Sequence, residues 1–290
     1  MKRLLILSGK GGTGKTTTAA AFLQFAQARA AADCDVDAPN LHLVTRQSVS
    51  PEVSAFFGGE KVVIDPERCT GCGLCAHHCR FDALEIKNGT CRVNEYACEG
   101  CGVCVHLCPA GAVRLTPDTA GQKELYRNPD GRIFSTATLK MGRGNSGKLV
   151  TDVKMAMLKN APPDAGLAII DGSPGIGCPV IASVSGMDLV LVVAEPSLSG
   201  RSDLERLVKT AQTLQVPLAV CVNKWDVSPD NTQAIQDFCQ TAEIPFLGVI
   251  PYDKHAALAI NTGQSLAEID CPARDALKTI FEAASSLLEH

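Results

Sequence analysis

Long apolar runs, a leader-like N-terminus and clusters of basic residues are all lacking from this sequence of 290 residues. No apolar run approaches the ~18 residues that a membrane-spanning helix requires, so no such helix is expected. The N-terminal apolar stretch covers only Leu4 to Leu7, which is too short for the core of a signal peptide. The formal net charge is −4 and no lysine or arginine cluster stands out, so nucleic acid and anionic membranes are poor candidate partners. The expectation is a cytoplasmic protein.

Cysteine, by contrast, is abundant. Nine of the fourteen cysteines lie between Cys69 and Cys108. Because no signal peptide is expected, metal binding in a reducing compartment is favoured over disulfide bonds. Apolar residues make up 46% of the chain and charged residues 20%, which excludes a disordered protein and leaves room for about two domains.

Short apolar runs alternate with helix-like segments outside the cysteine-rich region. One run precedes Gly9, and four more lie at 167–170, 189–193, 218–222 and 246–250. Continuous apolar strands separated by helices predict an α/β fold, with a mostly parallel sheet covered by helices on both faces. We therefore predict one α/β domain built from residues 1–60 and 117–290, and a small α+β domain inserted at 61–116. Residues 117–148 are Gly-rich and polar, which predicts a return linker with little secondary structure.

One strand of this sheet has little sequence to form it. Only Ala30, Ala31 and Ala32 are available before Asp33. Either that strand is unusually short, or a loop is missing from the sequence.

A glycine-rich loop lies between the first apolar strand and an Ala-rich helical segment. Residues 9–16 fit the pattern G-x-x-x-x-G-K-[ST] in the strand–loop–helix context that a P-loop requires. Backbone N–H groups of such a loop converge on phosphate oxygens, the lysine (Lys15) bridges the β- and γ-phosphates, and Thr16 ligates Mg²⁺. A chance Gly-rich turn is the alternative. The predicted phosphate-binding residues are Gly11, Gly12, Thr13, Gly14, Lys15, Thr16 and Thr17.

The sequence GKGGTGKTT, with its early Lys10, resembles the deviant P-loop of the MinD/ParA/Mrp/nitrogenase-iron-protein class of ATPases. Two later segments match the same class: residues 33–40 (DCDVDAPN) are similar to its switch I, and residues 169–175 (IIDGSPG) to its Walker B strand and switch II. The resemblance implies a P-loop NTPase fold, ATP as ligand and an ATP-sandwich homodimer in which Lys10 reaches the nucleotide of the partner subunit. It also implies that Asp35 orients the attacking water, and that Asp35 and Asp171 lie near Mg²⁺ with Thr16.

The catalytic residues implied are therefore Lys10, Lys15 and Asp35. Each has an ordinary alternative, since lysines are common in solvated loops and acidic residues in caps and turns. The resemblance further implies adenine contacts from the loops after two later strands, although these are also turn-forming residues: Asn223, Lys224, Pro251, Tyr252 and Asp253.

The cysteine-rich segment contains two similar runs offset by 29 residues. Both follow the C-x₂-C-x₂-C-x₃-C spacing of bacterial ferredoxins, in which the fourth cysteine ligates the other cluster. Zinc is the alternative for paired cysteines, but four-cysteine runs of this spacing fit it poorly. The insert is thus predicted to be ferredoxin-like, with two [4Fe–4S] clusters held by Cys69, Cys72, Cys75 and Cys108, and by Cys98, Cys101, Cys104 and Cys79. The remaining cysteines, Cys91 among them, are expected to be small buried hydrophobes.

Cys178 lies seven residues after Asp171, at the offset where nitrogenase iron protein carries a ligand of its subunit-bridging cluster. No cysteine lies between residues 109 and 170 to supply a second such ligand. A packed cysteine in switch II is therefore favoured over a bridging ligand.

Together the motifs resemble those of MinD-superfamily ATPases that carry an inserted two-cluster ferredoxin domain. The function implied is ATP-gated electron transfer to an unidentified redox partner protein. Two alternatives stay open: an ATPase that assembles or delivers iron–sulfur clusters, and a spatial organiser of the MinD type. The second is disfavoured because residues 273–288 have mixed charge rather than the basic face of a membrane-binding helix.

Overall fold

The computed structural model describes residues 1–289 of the chain. These divide into two compact units. The first unit contains Met1–Ser54, Lys123–Thr138 and the chain from Ser146 onward. The second unit contains Ala55–Gln122 and Leu139–Asn145.

Eleven strands form among the described residues: β1 (Lys2–Leu7), β2 (Ala30–Asp33), β3 (Glu52–Ile64), β4 (Leu84–Lys87), β5 (Thr90–Val93), β6 (Val113–Arg127), β7 (Ile133–Leu139), β8 (Leu167–Asp171), β9 (Leu189–Ala194), β10 (Leu218–Asn223) and β11 (Phe246–Ile250). The helices of the same residues are α1 (Lys15–Phe25), α2 (Leu41–Val44), α3 (Leu74–His77), α4 (Val103–Leu107), α5 (Ser146–Asn160), α6 (Cys178–Val184), α7 (Leu198–Thr213), α8 (Pro229–Thr241), α9 (Lys254–Asn261) and α10 (Pro272–Glu289). None of these helices is long and apolar enough to cross a membrane.

Nine strands form one sheet in the order β11-β10-β9-β1-β8-β2-β7-β6-β3. Strand β1 is fourth in this order, parallel to β8 on one side and to β9 on the other. All six residues of β9 are buried, because a strand covered on both faces has no solvent side for polar residues. The predicted α/β fold with a mostly parallel sheet is confirmed.

The strand before Asp33 is short. Strand β2 has four residues, and Ala31 pairs with Phe134 of β7 and with Ile169 of β8. Small alanine side chains suit a strand that is buried along its whole length. Of the two alternatives that the sequence left open, the structure has the unusually short strand.

The prediction of a linker with little structure at 117–148 is wrong. Strands β6 and β7 occupy most of this segment, and backbone bonds Asn128 N–Arg132 O (2.9 Å) and Lys140 N–Ala120 O (2.8 Å) join them as an antiparallel hairpin. Along β6 buried and exposed residues intermingle, so the strand has neither a continuous apolar run nor a regular alternation, and its composition is that of a loop. The domain bounds differ from the prediction: the second unit begins at Ala55 rather than 61, extends to Gln122 rather than 116, and also contains Leu139–Asn145.

The second unit repeats its backbone contacts at the offset of the two cysteine runs. Asp65 N donates to Ala112 O, and Asn94 N donates to Ala83 O, both at 2.8 Å. The two donors are 29 residues apart in the sequence, and so are the two acceptors. Gly73 and Gly102, which precede α3 and α4, have φ values of 78° and 77°. Strands β4 and β5 form an antiparallel hairpin in which Ile86 is opposite Cys91. The sequence repeat is therefore also a structural repeat.

Candidate functional site

The P-loop joins β1 to the N-terminus of α1. Gly12 and Gly14 have φ values of 79° and 96°, a region that side chains other than glycine rarely adopt. A Cβ at Gly14 would also collide with the side-chain amide of Asn223. The first N–H groups of α1 lack partners within the helix and carry its positive dipole end. The loop therefore presents an anion-binding end of a helix, as the sequence predicts.

Lys15 is held between two carboxylates at the base of this loop. Its side chain is only 6% exposed, and its Nζ lies 2.9 Å from Asp171 Oδ1 and 3.4 Å from Asp35 Oδ2. Burial lowers the pKa of Lys15, but the charges of Asp171 and Asp35 outweigh it, so the net shift is upward. Lys15 is therefore a stable cation in this site.

Asp171 has capacity for a further ligand. It is fully buried at the end of β8, paired with Ile6 of β1, and its Oδ2 has no hydrogen-bond partner among the described residues. A buried carboxylate oxygen without a partner is costly unless something binds it. Carboxylate oxygen is the ligand type that Mg²⁺ takes in nucleotide sites. The residues present thus fit the magnesium ion that the sequence predicts.

The two aspartates of the D-x-D segment have different roles. Asp33 is fully buried and accepts backbone N–H bonds from Asp35 (3.0 Å), Asn40 (2.9 Å) and Leu41 (2.9 Å). Burial and the nearby Asp171 charge raise its pKa to about 7. Asp33 therefore shapes the loop, whereas Asp35 lines the adjoining cavity.

Burial also raises the pKa of Asp35, although the neighbouring Lys15 opposes the shift.

The loops that carry Asp35 and Asp171 are bonded to each other. Cys34 N donates to Asp171 O at 2.7 Å, and the Ser173 hydroxyl donates to Cys34 O. A displacement of either loop therefore reaches the other.

A cavity of about 760 Å³ opens beside the P-loop in the first unit. It brings together most of the residues predicted to bind nucleotide: Gly11, Gly12, Gly14, Lys15, Thr16, Thr17, Asp35, Asn223, Lys224, Pro251, Tyr252 and Asp253. The volume is in the range of small-molecule and cofactor sites. Sequence reasoning missed its apolar wall, which includes Leu43 and Ile260, since no motif marks these helix positions.

Two residues of this cavity also support the P-loop. Asn223 Nδ2 donates to Thr13 O at 2.7 Å, and Lys224 Nζ to Gly12 O at 3.1 Å. Tyr252 is 62% exposed at the cavity edge. Asp253 caps α9 by accepting a bond from His255 N at 2.9 Å. The residues predicted for adenine thus have structural bonds as well as a place in the cavity wall.

Lys10 does not line this cavity. Its amine forms an ion pair with Glu195 and lies 3.2 Å from the Ser199 hydroxyl, both in its own chain. Its side chain is 36% exposed. The predicted contact with a partner subunit stays a prediction.

A second, smaller cavity lies in the second unit. All four cysteines predicted for the first cluster line it, namely Cys69, Cys72, Cys75 and Cys108. Backbone N–H groups point at two of the sulfurs: Cys91 N at Cys69 Sγ (3.4 Å) and Ala112 N at Cys108 Sγ (3.3 Å). Converging thiols with backbone donors on their sulfurs suit an iron–sulfur cluster, because such bonds stabilise thiolate ligands.

The cysteines predicted for the second cluster also lie in the core of the second unit, apart from Cys101, which is exposed. Cys98 and Cys104 are buried, and Cys79 packs against them. Gly100 N donates to Cys98 Sγ at 3.4 Å, which repeats the N–H to sulfur contacts of the first site. Burial raises the pKa of Cys104. This donor set has the same chemistry as the first.

Two cysteines have positions that the sequence did not predict. Cys178, predicted to be packed, is exposed at the first residue of α6. Cys91 is buried as predicted, but it lines the first cysteine cavity. Its position outside the two spaced runs gave no signal, and only the pairing of β4 with β5 places it there.

Known proteins resemble this chain along most of its length. Residues 4–266 match the CobQ/CobB/MinD/ParA nucleotide binding domain. An uncharacterised protein of Methanocaldococcus jannaschii is 32% identical over 225 residues, which are 77% of this chain and 78% of that protein. The septum site-determining protein MinD of Bacillus subtilis is 22% identical over 273 residues, which are 91% and 81% of the two chains.

Solved structures give the same fold. MinD of Pyrococcus horikoshii, solved in complex with Mg-ADP, superposes with a TM-score of 0.59 at 16% identity, over 99% of this chain and 96% of that one. The cell division ATPase MinD of Pyrococcus furiosus also has a TM-score of 0.59, and the match covers 99% of both chains. At this level of identity the likeness concerns the fold alone.

Proposed function

This chain belongs to the CobQ/CobB/MinD/ParA family of nucleotide-binding domains, and from that premise we propose that it is an ATPase which also carries two [4Fe–4S] clusters. ATP binding and hydrolysis, with Mg²⁺, would drive switch and dimer changes that control electron transfer through the clusters to a partner protein. The second unit supplies the ligands, and the first unit binds the nucleotide.

One observation carries the iron–sulfur part of this proposal. Cys108 belongs to the second cysteine run, yet it lines the same cavity as Cys69, Cys72 and Cys75 of the first run. This crossed arrangement is the one expected of a two-cluster ferredoxin, in which each run supplies three ligands to one cluster and one to the other. A zinc site would use neighbouring pairs and gives no reason for the crossing.

The nucleotide part of the proposal follows from the charge pairing at the P-loop. A triphosphate competes with Asp171 and Asp35 for the Lys15 amine, because phosphate oxygens carry more charge than a carboxylate. Release from Lys15 leaves Asp171 and Thr16 for Mg²⁺, which neutralises charge on the phosphates. It also leaves Asp35 to orient the attacking water.

Nucleotide state has a covalent route to the second unit. Strands β3 (Glu52–Ile64) and β6 (Val113–Arg127) each begin in one unit and end in the other. The loops that carry Asp35 and Asp171 are mutually bonded, so they respond to nucleotide together. Order–disorder changes of such loops are the usual output of nucleotide switches.

Anaerobic purification followed by iron and sulfide analysis tests the clusters. About eight irons per chain are expected for two [4Fe–4S] clusters. Cys72→Ala and Cys101→Ala should each hold about four irons, since each removes a ligand of a different cluster. Cys239→Ala, which changes a buried cysteine of the first unit, is the control and should keep about eight. Zinc in place of iron, or equal iron in all variants, would contradict the proposal.

EPR of the reduced protein, with and without ATP, tests the coupling. Wild-type spectra should change when ATP is added, and Lys15→Ala should keep its clusters but lose that response. A response that survives in Lys15→Ala would contradict coupling through the P-loop. Mixing the loaded protein with an apo-acceptor separates electron transfer, which needs retained clusters, from the delivery alternative, which needs their transfer.

A further inference from the structure

Cys91 is a fifth cysteine in the cavity that four predicted cluster ligands line. Resting on the proposed two-cluster function, we propose that Cys91 is an alternative ligand for the iron that Cys75 holds in the first cluster. The site therefore has five thiols for four iron corners, whereas the second site has four.

The position of Cys91 is built by the β4–β5 hairpin. The residue is 5% exposed and lies opposite Ile86. Its Sγ lies 3.5 Å from Cys75 Sγ, and its own backbone N–H donates to Cys69 Sγ. Backbone and side chain of Cys91 thus contact two different ligands of one predicted cluster.

The Sγ atoms of Cys75 and Cys91 lie close enough together for either one to reach the same iron. With metal–sulfur bonds of about 2.3 Å, two thiolates on one tetrahedral metal stand roughly 3.8 Å apart. The observed 3.5 Å between Cys75 Sγ and Cys91 Sγ is close to that spacing. A small shift of either side chain therefore brings Cys91 to the iron that Cys75 would hold.

The internal repeat shows that packing alone does not require a thiol here. The residue 29 positions before Cys91 is Val62, which is 6% exposed and packs in the same core. The neighbouring backbone bonds, Asp65 to Ala112 and Asn94 to Ala83, repeat at that same offset. An aliphatic side chain fills the equivalent position, so the thiol is a specific difference between the two halves.

The exchange needs no oxidant or reductant. The iron–sulfur bond to Cys75 breaks as the bond to Cys91 forms, and the proton of the Cys91 thiol passes to the departing Cys75 thiolate. The contact between the two sulfurs is already the path for that proton. Charge and electron count of the cluster stay the same.

Iron counts of anaerobically purified variants test the proposal. Cys75→Ala should keep about eight irons per chain because Cys91 replaces the lost ligand, whereas Cys104→Ala, its repeat equivalent, should keep about four. The double variant Cys75→Ala/Cys91→Val should fall to about four, and Cys91→Val alone should keep about eight. Transplanting the thiol, as Val62→Cys in the Cys104→Ala background, should restore about eight.

The iron counts distinguish a failure of the Cys91 role from a failure of the two-cluster function. A wild-type count well below eight overturns the two-cluster function and the Cys91 role together. A wild-type count of about eight with about four or fewer in Cys75→Ala overturns only the Cys91 role. About eight irons in the double variant would also overturn it, because another group would then be the ligand. EPR signals of two reduced clusters in Cys75→Ala, and of one in Cys104→Ala, are the matching spectroscopic result.

Discussion

At the scale of single residues, the two lysines of the P-loop have very different surroundings. Lys15 is buried against Asp171, which is itself 0% exposed, whereas Lys10 pairs with Glu195 near the surface. Removing one partner of a buried pair leaves an uncompensated charge, and an exposed pair contributes little. Substitution of Lys15 should therefore lower the free energy of unfolding much more than substitution of Lys10.

We predict that Lys15→Met lowers the free energy of unfolding of the nucleotide-free protein by about 3–5 kcal/mol. Lys10→Met, the matched control, should lower it by less than about 1 kcal/mol. Urea unfolding followed by the fluorescence of Trp225, the sole tryptophan, reports on the first unit. Equal losses in the two variants would show that Lys15 does not compensate the buried carboxylates.

Asp35 is the candidate water-orienting group. We predict that Asp35→Asn slows ATP hydrolysis by roughly 10²–10⁴-fold, the usual contribution of a group that orients or activates the nucleophile. ATP affinity should change only a few-fold, because Lys15 and the loop amides remain. Asp237→Asn, an exposed carboxylate of α8 outside the nucleotide cavity, is the control and should hydrolyse ATP normally. Unchanged turnover in Asp35→Asn would refute the assignment of switch I.

At the scale of elements, the strands that could be predicted from the sequence are continuous apolar runs with few exposed residues. The apolar run 189–193 became β9 (Leu189–Ala194) almost residue for residue, since all of β9 is buried. Strand β6 mixes buried and exposed residues without a regular pattern, so its composition resembled that of a linker. The same limit applies to the sites: fixed spacings revealed the P-loop and the two cysteine runs, while Cys91 and Leu43 reach their cavities only through the fold.

Helix α6, which follows the Asp171 loop, has its C-terminal end bound by a lysine of α5. Lys154 Nζ donates to the carbonyls of Ala182 (2.6 Å), Ser183 (2.9 Å) and Ser185 (2.6 Å). The last carbonyls of a helix have no partner within it, and a cation there also complements the dipole. Burial lowers the pKa of Lys154 to about 8.

That pKa predicts a pH dependence of stability. An unfolded lysine keeps its proton up to pH ~10.4, so between about pH 8 and 10.4 the unfolded chain binds more protons than the native one and stability rises with pH. The difference in free energy of unfolding between wild type and Lys154→Met should therefore widen across that window, by up to about 3 kcal/mol. Lys159→Met, on an exposed position of α5, should show no such widening. A constant difference for Lys154→Met would contradict a lowered pKa.

At the scale of the whole molecule, the proposed function combines two kinds of chemistry in one chain. The nucleotide cavity lies in the first unit and the cysteine cavity in the second, and β3 and β6 run through both units. Nucleotide binding is a property of the family to which the chain belongs, whereas the proposed clusters would be an addition to that machinery. The proposed link between them would depend on a dimer, because the role implied for Lys10 requires a partner subunit.

Lys10 must leave Glu195 before it can reach a nucleotide in a partner subunit. In a hydrolysis-deficient Asp35→Asn background with ATP, we therefore predict that adding Glu195→Gln promotes dimerisation. The protein concentration needed should fall roughly 2–30-fold, since a dimer has two such exposed ion pairs, each worth about 0.2–1 kcal/mol. Lys10→Ala in that background should stay monomeric. Arg201→Ala, which removes a different exposed pair with Glu205, should behave like the parent in sedimentation velocity. Dimers of the Lys10→Ala protein at the parent's concentration would remove Lys10 from the interface.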